Sequence, residues 1–175
     1  MPSKSRSRTA STNGHRAEVE EDSLDDKNRL LLAELQSNPR ITMSALARQV
    51  SMSAPAVTER VERLEQTGVI RGYRIDLDPA ALGLPLTAFA RIKPAAGQLT
   101  KLAQLAAATP QVTECYRITG EDCFLLKVHA STVEHLAEIL DRFQTYGQSI
   151  TSVVVSTPVP PRPLPVPIPA SAPHS

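Results

Sequence analysis

The sequence predicts an α+β chain in two units, and three observations carry the prediction. Three capped helical patterns stand in the first half, the second and third separated by only a few residues. A segment alternating apolar with polar residues follows the third. The second half then reads strand-helix-strand-strand-helix-strand, so helices dominate one unit and an antiparallel sheet the other.

The first helix is expected to open at S-L-D-D, with Ser23 as cap and Asp26 closing an acidic capping box. Leu31, Leu32 and Leu35 fall on its core side, and Pro39 stops it because the residue before a proline avoids helical backbone. The second helix starts at the Thr42 cap; Ile41 and Leu46 form a hydrophobic staple, and Leu46 with Val50 points inward. The third runs from Ser53 to Gly68. Ser53 can cap it, Pro55 sits in the first turn where a missing N–H costs nothing, and Gly68 supplies the left-handed stop. Val57, Val61 and Leu64 share its buried face, while Pro55, Glu59, Glu62 and Arg63 point away. Two helices joined so tightly after a supporting helix are the helix-turn-helix plan, and V-I-R-G-Y-R-I-D-L-D reads as a strand or wing after it.

A winged helix-turn-helix at residues 23–76 directs the search for contacts to double-stranded DNA. Ser53, Pro55, Ala56, Thr58, Glu59 and Arg63 are the candidates for base edges, and Arg48, Arg71 and Arg74, with Arg60 beside them, for phosphates. Charge in 24–76 nearly cancels, with eight Lys/Arg against seven Asp/Glu. A single module should therefore bind weakly, and a second half-site about 34 Å away would strengthen it.

Residues 77–85 read as a linker, and 86–157 as a ferredoxin-like βαββαβ unit. Its strands are expected at Leu86–Lys93, Val112–Thr119, Cys123–Ala130 and Ile150–Thr157. Its helices carry Leu99, Leu102, Leu105 and Ala106, and then Leu136, Ile139, Leu140 and Phe143 behind a Ser131/Glu134 capping box. Alternation sends Phe89, Arg91, Cys115, Cys123, Leu125 and Val153 to the sheet face without helices. That set is too apolar for water, so a second copy of the chain is expected to cover it in a two-fold dimer.

Composition narrows the classes further. The formal net charge of +1 over 175 residues argues neither for nor against a polyanionic partner. Trp is absent and there are three Phe and three Tyr, too few for stacking platforms of the single-strand type. No apolar run approaches the ~20 residues of a membrane span, no secretory signal is read, and Cys115 and Cys123 fit reduced thiols, so a cytoplasmic protein is expected. No Ser-His-Asp motif, phosphate loop or HExxH occurs, so no enzyme and no cofactor are expected. Cys115, Cys123, His129 and His135 lack metal-ligand spacing, and no metal site is assigned. Residues 1–22 are read as a disordered basic leader and 158–175 as a Pro-rich extended tail.

The chain from Leu24 to about Thr157 resembles the Lrp/AsnC (feast/famine) family of transcription regulators. L-D-D-K-N-R-L-L-L, L-A-R-Q-V-S-M-S, V-T-E-R-V-E-R-L-E-Q-T-G-V-I-R-G-Y and G-E-D-C-F-L-L-K-V carry the resemblance. It implies a regulator whose dimers assemble further, to octamers, and whose effector is an amino acid held near the loop before the third strand, at contacts between dimers. Carried onto this sequence, that loop is Gly120, Glu121 and Asp122, with Thr151 and Ser152 as facing polar groups. A glycine turn offers N–H groups to a carboxylate, and acidic side chains suit an ammonium. Three positions depart from the family pattern: Glu121 and Cys123 stand where it often has Asp, and Ser51 where it often has Gly. The alternatives are a ligand-independent architectural DNA-binding protein and a metal-sensing winged-helix regulator.

Overall fold

The computed structural model describes residues 24–120 and 123–167 and separates into two compact units, one built on the segment up to Arg74 with the chain from Pro161 onward, the other on Ile75–Pro160. Ser23 and the leader lie outside the described residues, as does the tail beyond Pro167.

In the first unit, α1 (Asp26–Ser37), α2 (Met43–Gln49) and α3 (Ala54–Gln66) surround Leu31, Leu35, Leu46, Ala47, Val50, Val57 and Val61. Leu32 is only half-buried; the buried α1 positions are Asn28, Leu31 and Leu35, the stripe a helix presents at i, i+3 and i+7. The cap of α1 is Asp25, whose carboxylate accepts the Asn28 N–H at 2.7 Å. Thr42 and Ser53 cap α2 and α3 as their sequence positions predict. Gly68, at φ +76, closes α3 in the left-handed region.

Between α2 and α3 the chain turns at Ser51, the non-glycine residue with positive φ (55°) among the described residues. An L side chain there strains against its own carbonyl. Ser51 is exposed and meets no steric demand of its own. Ser51→Gly is therefore expected to raise the melting free energy of this unit by about 1 kcal/mol; an unchanged or lowered urea midpoint would show that the turn bears no strain.

The strand expected after α3 does not form: residues 71–78 have no regular secondary structure. Its alternation is present, but Tyr73 is 55% and Ile75 84% exposed, and no described strand pairs with the segment. A solitary strand has nowhere to place its ladder hydrogen bonds.

The second unit is a four-stranded antiparallel sheet in the order β2-β3-β1-β4, with β1 Leu86–Pro94, α4 Leu99–Ala107, β2 Val112–Arg117, β3 Phe124–Ala130, α5 Val133–Gln144 and β4 Gly147–Val153. Both helices pack on one face, against Ala88, Ala90, Ile92, Phe124, Leu126 and Val128. Thr132 rather than Ser131 caps α5, its hydroxyl accepting the His135 N–H at 3.1 Å. β4 begins three residues earlier than its Val-rich stretch suggested, because Gly147 pairs with Pro94 at the end of β1.

The opposite face lacks three of its expected members, Cys115, Cys123 and Val153. A register shift between Val112 and Glu114 inserts Thr113 as an extra residue in β2. Because side chains alternate with period two, that insertion moves Cys115 to the helix side, paired with Leu126, and brings Glu114 and Tyr116 outward. Val153 pairs with Ala88 and so also belongs to the helix side, and Cys123 packs against the helix-side core. The outer face is formed by Phe89, Arg91, Leu125, Tyr116 and Ile150, around a Lys127–Glu114 ion pair at 3.0 Å. The Tyr116 hydroxyl, donating to Glu114 at 2.7 Å, and the Lys127 ammonium hold the Glu114 carboxyl below its usual range.

Candidate DNA interface and effector loop

The first unit presents α3 with one face buried and the other open. Val57, Val61 and Leu64 hold it to the core, leaving Pro55, Glu59, Glu62 and Arg63 exposed. Ser53 Oγ accepts the Ala56 N–H at 3.4 Å, so its hydroxyl proton remains available to a phosphate or base. The Thr58 hydroxyl donates back to the Ala54 carbonyl at 3.0 Å, leaving an acceptor lone pair. Ala56 is half-buried and lines a shallow groove with Asp25, Asn28, Glu59, Arg60 and Arg63.

The cations divide into two groups. Lys27 donates to the Val50 carbonyl at 2.9 Å, tying α1 to the end of α2, and Arg29 donates to the Leu24 carbonyl at 2.9 Å. Arg60 lies 2.6 Å from Asp25 Oδ2 and 2.9 Å from Asn28 Oδ1. These three are engaged inside the unit. Arg40, Arg48, Arg63, Arg71 and Arg74 are exposed, four of them being expected phosphate or base contacts. Arg60, expected beside the phosphate contacts, is held by Asp25, and the sequence holds no signal for this partner 35 residues away. Partial burial opposes charge on Asp25, but the Asn28 N–H and the hydrogen bond and charge of Arg60 hold its carboxyl below the usual range. Past α3, partial burial and the Glu65 carboxylate 2.9 Å away push the Tyr73 hydroxyl up to about 12, so it remains a donor at neutral pH.

In the second unit the β2–β3 hairpin is closed by the Ile118 N–H donating to the Cys123 carbonyl at 2.9 Å, with Gly120 at φ +108. Glu121 and Asp122 lie outside the described residues. Thr151 pairs with Ala90 and takes the helix side, whereas Ser152 pairs with Phe89 and takes the outer side. The two neighbours therefore cannot face one ligand together. β2 and β4 are also opposite edges of the sheet, three strand spacings or roughly 14 Å apart. Gly120, in the β2–β3 hairpin, and Ser152, on β4, therefore stand on strands separated by β1. Among the described residues there is no cluster of three His, Cys, Asp or Glu side chains able to hold a metal, and no helix long and apolar enough to cross a membrane.

Comparison with known proteins follows this division. A winged helix-turn-helix DNA-binding family model matches residues 24–71, and the Lrp/AsnC ligand binding domain model matches residues 87–164. The HTH-type transcriptional regulator LrpC of Bacillus subtilis is 31% identical over 133 residues, covering 76% of this chain and 92% of the relative. A leucine-responsive regulatory protein of Rhizobium meliloti is 41% identical over 126 residues, covering 70% and 77%. Among solved structures, the feast or famine regulatory protein of M. tuberculosis complexed with L-methionine is similar with a TM-score of 0.76 at 32% identity, covering 82% of this chain and 99% of that one.

Proposed function

Since the chain belongs to the Lrp/AsnC family and is a DNA-binding transcription regulator rather than an enzyme, we propose that it reads operator DNA through α3 and changes that binding when an amino acid occupies its C-terminal unit. The exposed face of the Ser53-capped α3, rigidly backed by its valines, is the observation that carries the DNA half. Ser53, Pro55, Ala56, Thr58, Glu59 and Arg63 meet bases; Arg48, Arg71 and Arg74 meet phosphates on either side. The L-methionine complex of the M. tuberculosis relative supports an amino-acid effector. Gly120, Glu121 and Asp122 of one chain then meet Ser152 of another at the contacts between dimers; that β3 and β4 are not neighbours in the sheet supports this reading. The outer sheet face, with Phe89, Tyr116 and Ile150 exposed, stacks on its counterpart in a dimer, and dimers join into an octamer. Regulation takes place in the cytoplasm.

Arg63→Ala is expected to weaken operator binding by about 1–3 kcal/mol, measured by fluorescence anisotropy, with assembly by light scattering unchanged. Unaltered operator affinity would remove Arg63 from the interface. The effector is tested by thermal unfolding of the full chain against each of the twenty amino acids. A ligand held only by the folded chain raises stability by about 2.7 kcal/mol at a hundredfold excess over Kd. That rise, lost in Glu121→Ala, supports the effector loop; no rise with any amino acid removes the amino-acid response and leaves a DNA-binding protein of architectural type.

A further inference from the structure

We infer that Arg60 is a positioning residue for DNA recognition, a guanidinium clamp that sets α3 against the start of α1 and so aims the base-contacting face; the inference rests on the reading of α3 as the DNA-contacting helix. The Asp25 carboxylate divides its two oxygens between two helices. Oδ1 accepts the Asn28 N–H that begins α1, at 2.7 Å, and Oδ2 takes Arg60 Nη1 at 2.6 Å. The same Nη1 reaches Asn28 Oδ1 at 2.9 Å, and Asn28 is 6% exposed. One guanidinium nitrogen of α3 is thus bonded to two oxygens at the start of α1, and sliding α3 along its axis would break both bonds at once.

The clamp lies next to the contact face. Ala56 and Arg63, one turn before and one turn after Arg60, line the same groove as Asp25 and Asn28. A shift of α3 by one residue, about 1.5 Å, would move both away from their base pairs. The side chains of the pair remain 34% and 46% exposed, too wet for the ion pair to add much stability. Its effect is on direction. The Arg60 charge is partly met by the Asp25 carboxylate, which separates Arg60 from the phosphate contacts proposed for Arg48, Arg71 and Arg74.

The test uses the full chain. A duplex is selected from a random-sequence pool, and affinity for it and for a scrambled duplex is measured across a salt series for the parent, Asp25→Asn, Arg60→Gln and the double variant. Asn keeps the helix cap while removing the charge. Each single variant is expected to lose about tenfold on the selected duplex, comparable to one mismatched base pair, and to keep the parent's affinity and salt slope on the scrambled duplex. The double variant should lose no more than either single one, since both remove the same clamp. A salt slope shallower by about 0.9 in Arg60→Gln would make Arg60 a phosphate contact and overturn the clamp. Parental affinity for the selected duplex in Asp25→Asn, whose cap and fold are retained, would overturn it as well, even if Arg60→Gln failed to fold. A parent chain that selects no sequence removes the DNA reading itself, and the clamp with it.

Discussion

Gly147→Ala is expected to destabilise the C-terminal unit by about 3 kcal/mol, the upper end of overpacking costs. A Cβ on Gly147 would stand against the Lys93 carbonyl oxygen and 2.8 Å from the Pro94 Cα. Both belong to the backbone of the paired strand, and Gly147 is held opposite Pro94 in the register. The neighbouring bond, from the Ala95 N–H to the Tyr146 carbonyl at 2.8 Å, pins the α5–β4 connection to the end of β1. Relief therefore requires opening the β1–β4 pair, since no flexible side chain can swing aside. Because the chain has two compact units, urea unfolding followed by circular dichroism is expected to show an early transition for the sheet unit. On the proposed function, assembly measured by light scattering falls with it, and operator binding drops toward that of a single module. A urea midpoint equal to the parent's would mean that β1 and β4 have slack at this end.

Leu31→Ala is the counterpart in the first unit. Leu31 is fully buried at the centre of the cluster made with Leu46, Val57 and Val61. Removing its three terminal carbons from a packed site costs about 2–5 kcal/mol, according to how far the neighbours collapse. A unit this small, with three helices among its described residues, buries a limited fraction of its surface and has few kcal/mol to spare. The variant is therefore expected to lose operator binding at 37 °C while light scattering still reports the parent's assembly. Loss of both together would show that the two units unfold cooperatively; retention of DNA binding would show that the core tolerates the cavity.

Much of the fold was legible because the signals are local. Thr42 and Ser53 cap helices from positions their side-chain oxygens dictate, Gly68 stops α3, and the strand-helix order of the second unit follows from alternation and breakers. The misplaced features depend on partners distant in sequence. The wing had the right alternation and no strand beside it among the described residues. Cys115 changed faces because of one extra residue in β2, which no propensity marks. Arg60 looked like any exposed basic residue of α3 until the fold brought Asp25 and Asn28 to it.

The same boundary divides the candidate sites. Sequence by itself determined which helix is presented and which of its residues lie on the open face, because a period of 3.6 residues and a capped start decide that within the helix. Tertiary structure alone decided that Lys27, Arg29 and Arg60 are held inside the first unit, that Thr151 takes the helix side and Ser152 the outer side, and that β2 and β4 are the two edges of the sheet. The physical reason is that hydrogen bonds and strand pairing depend on distance in space, and a sequence records only distance along the chain.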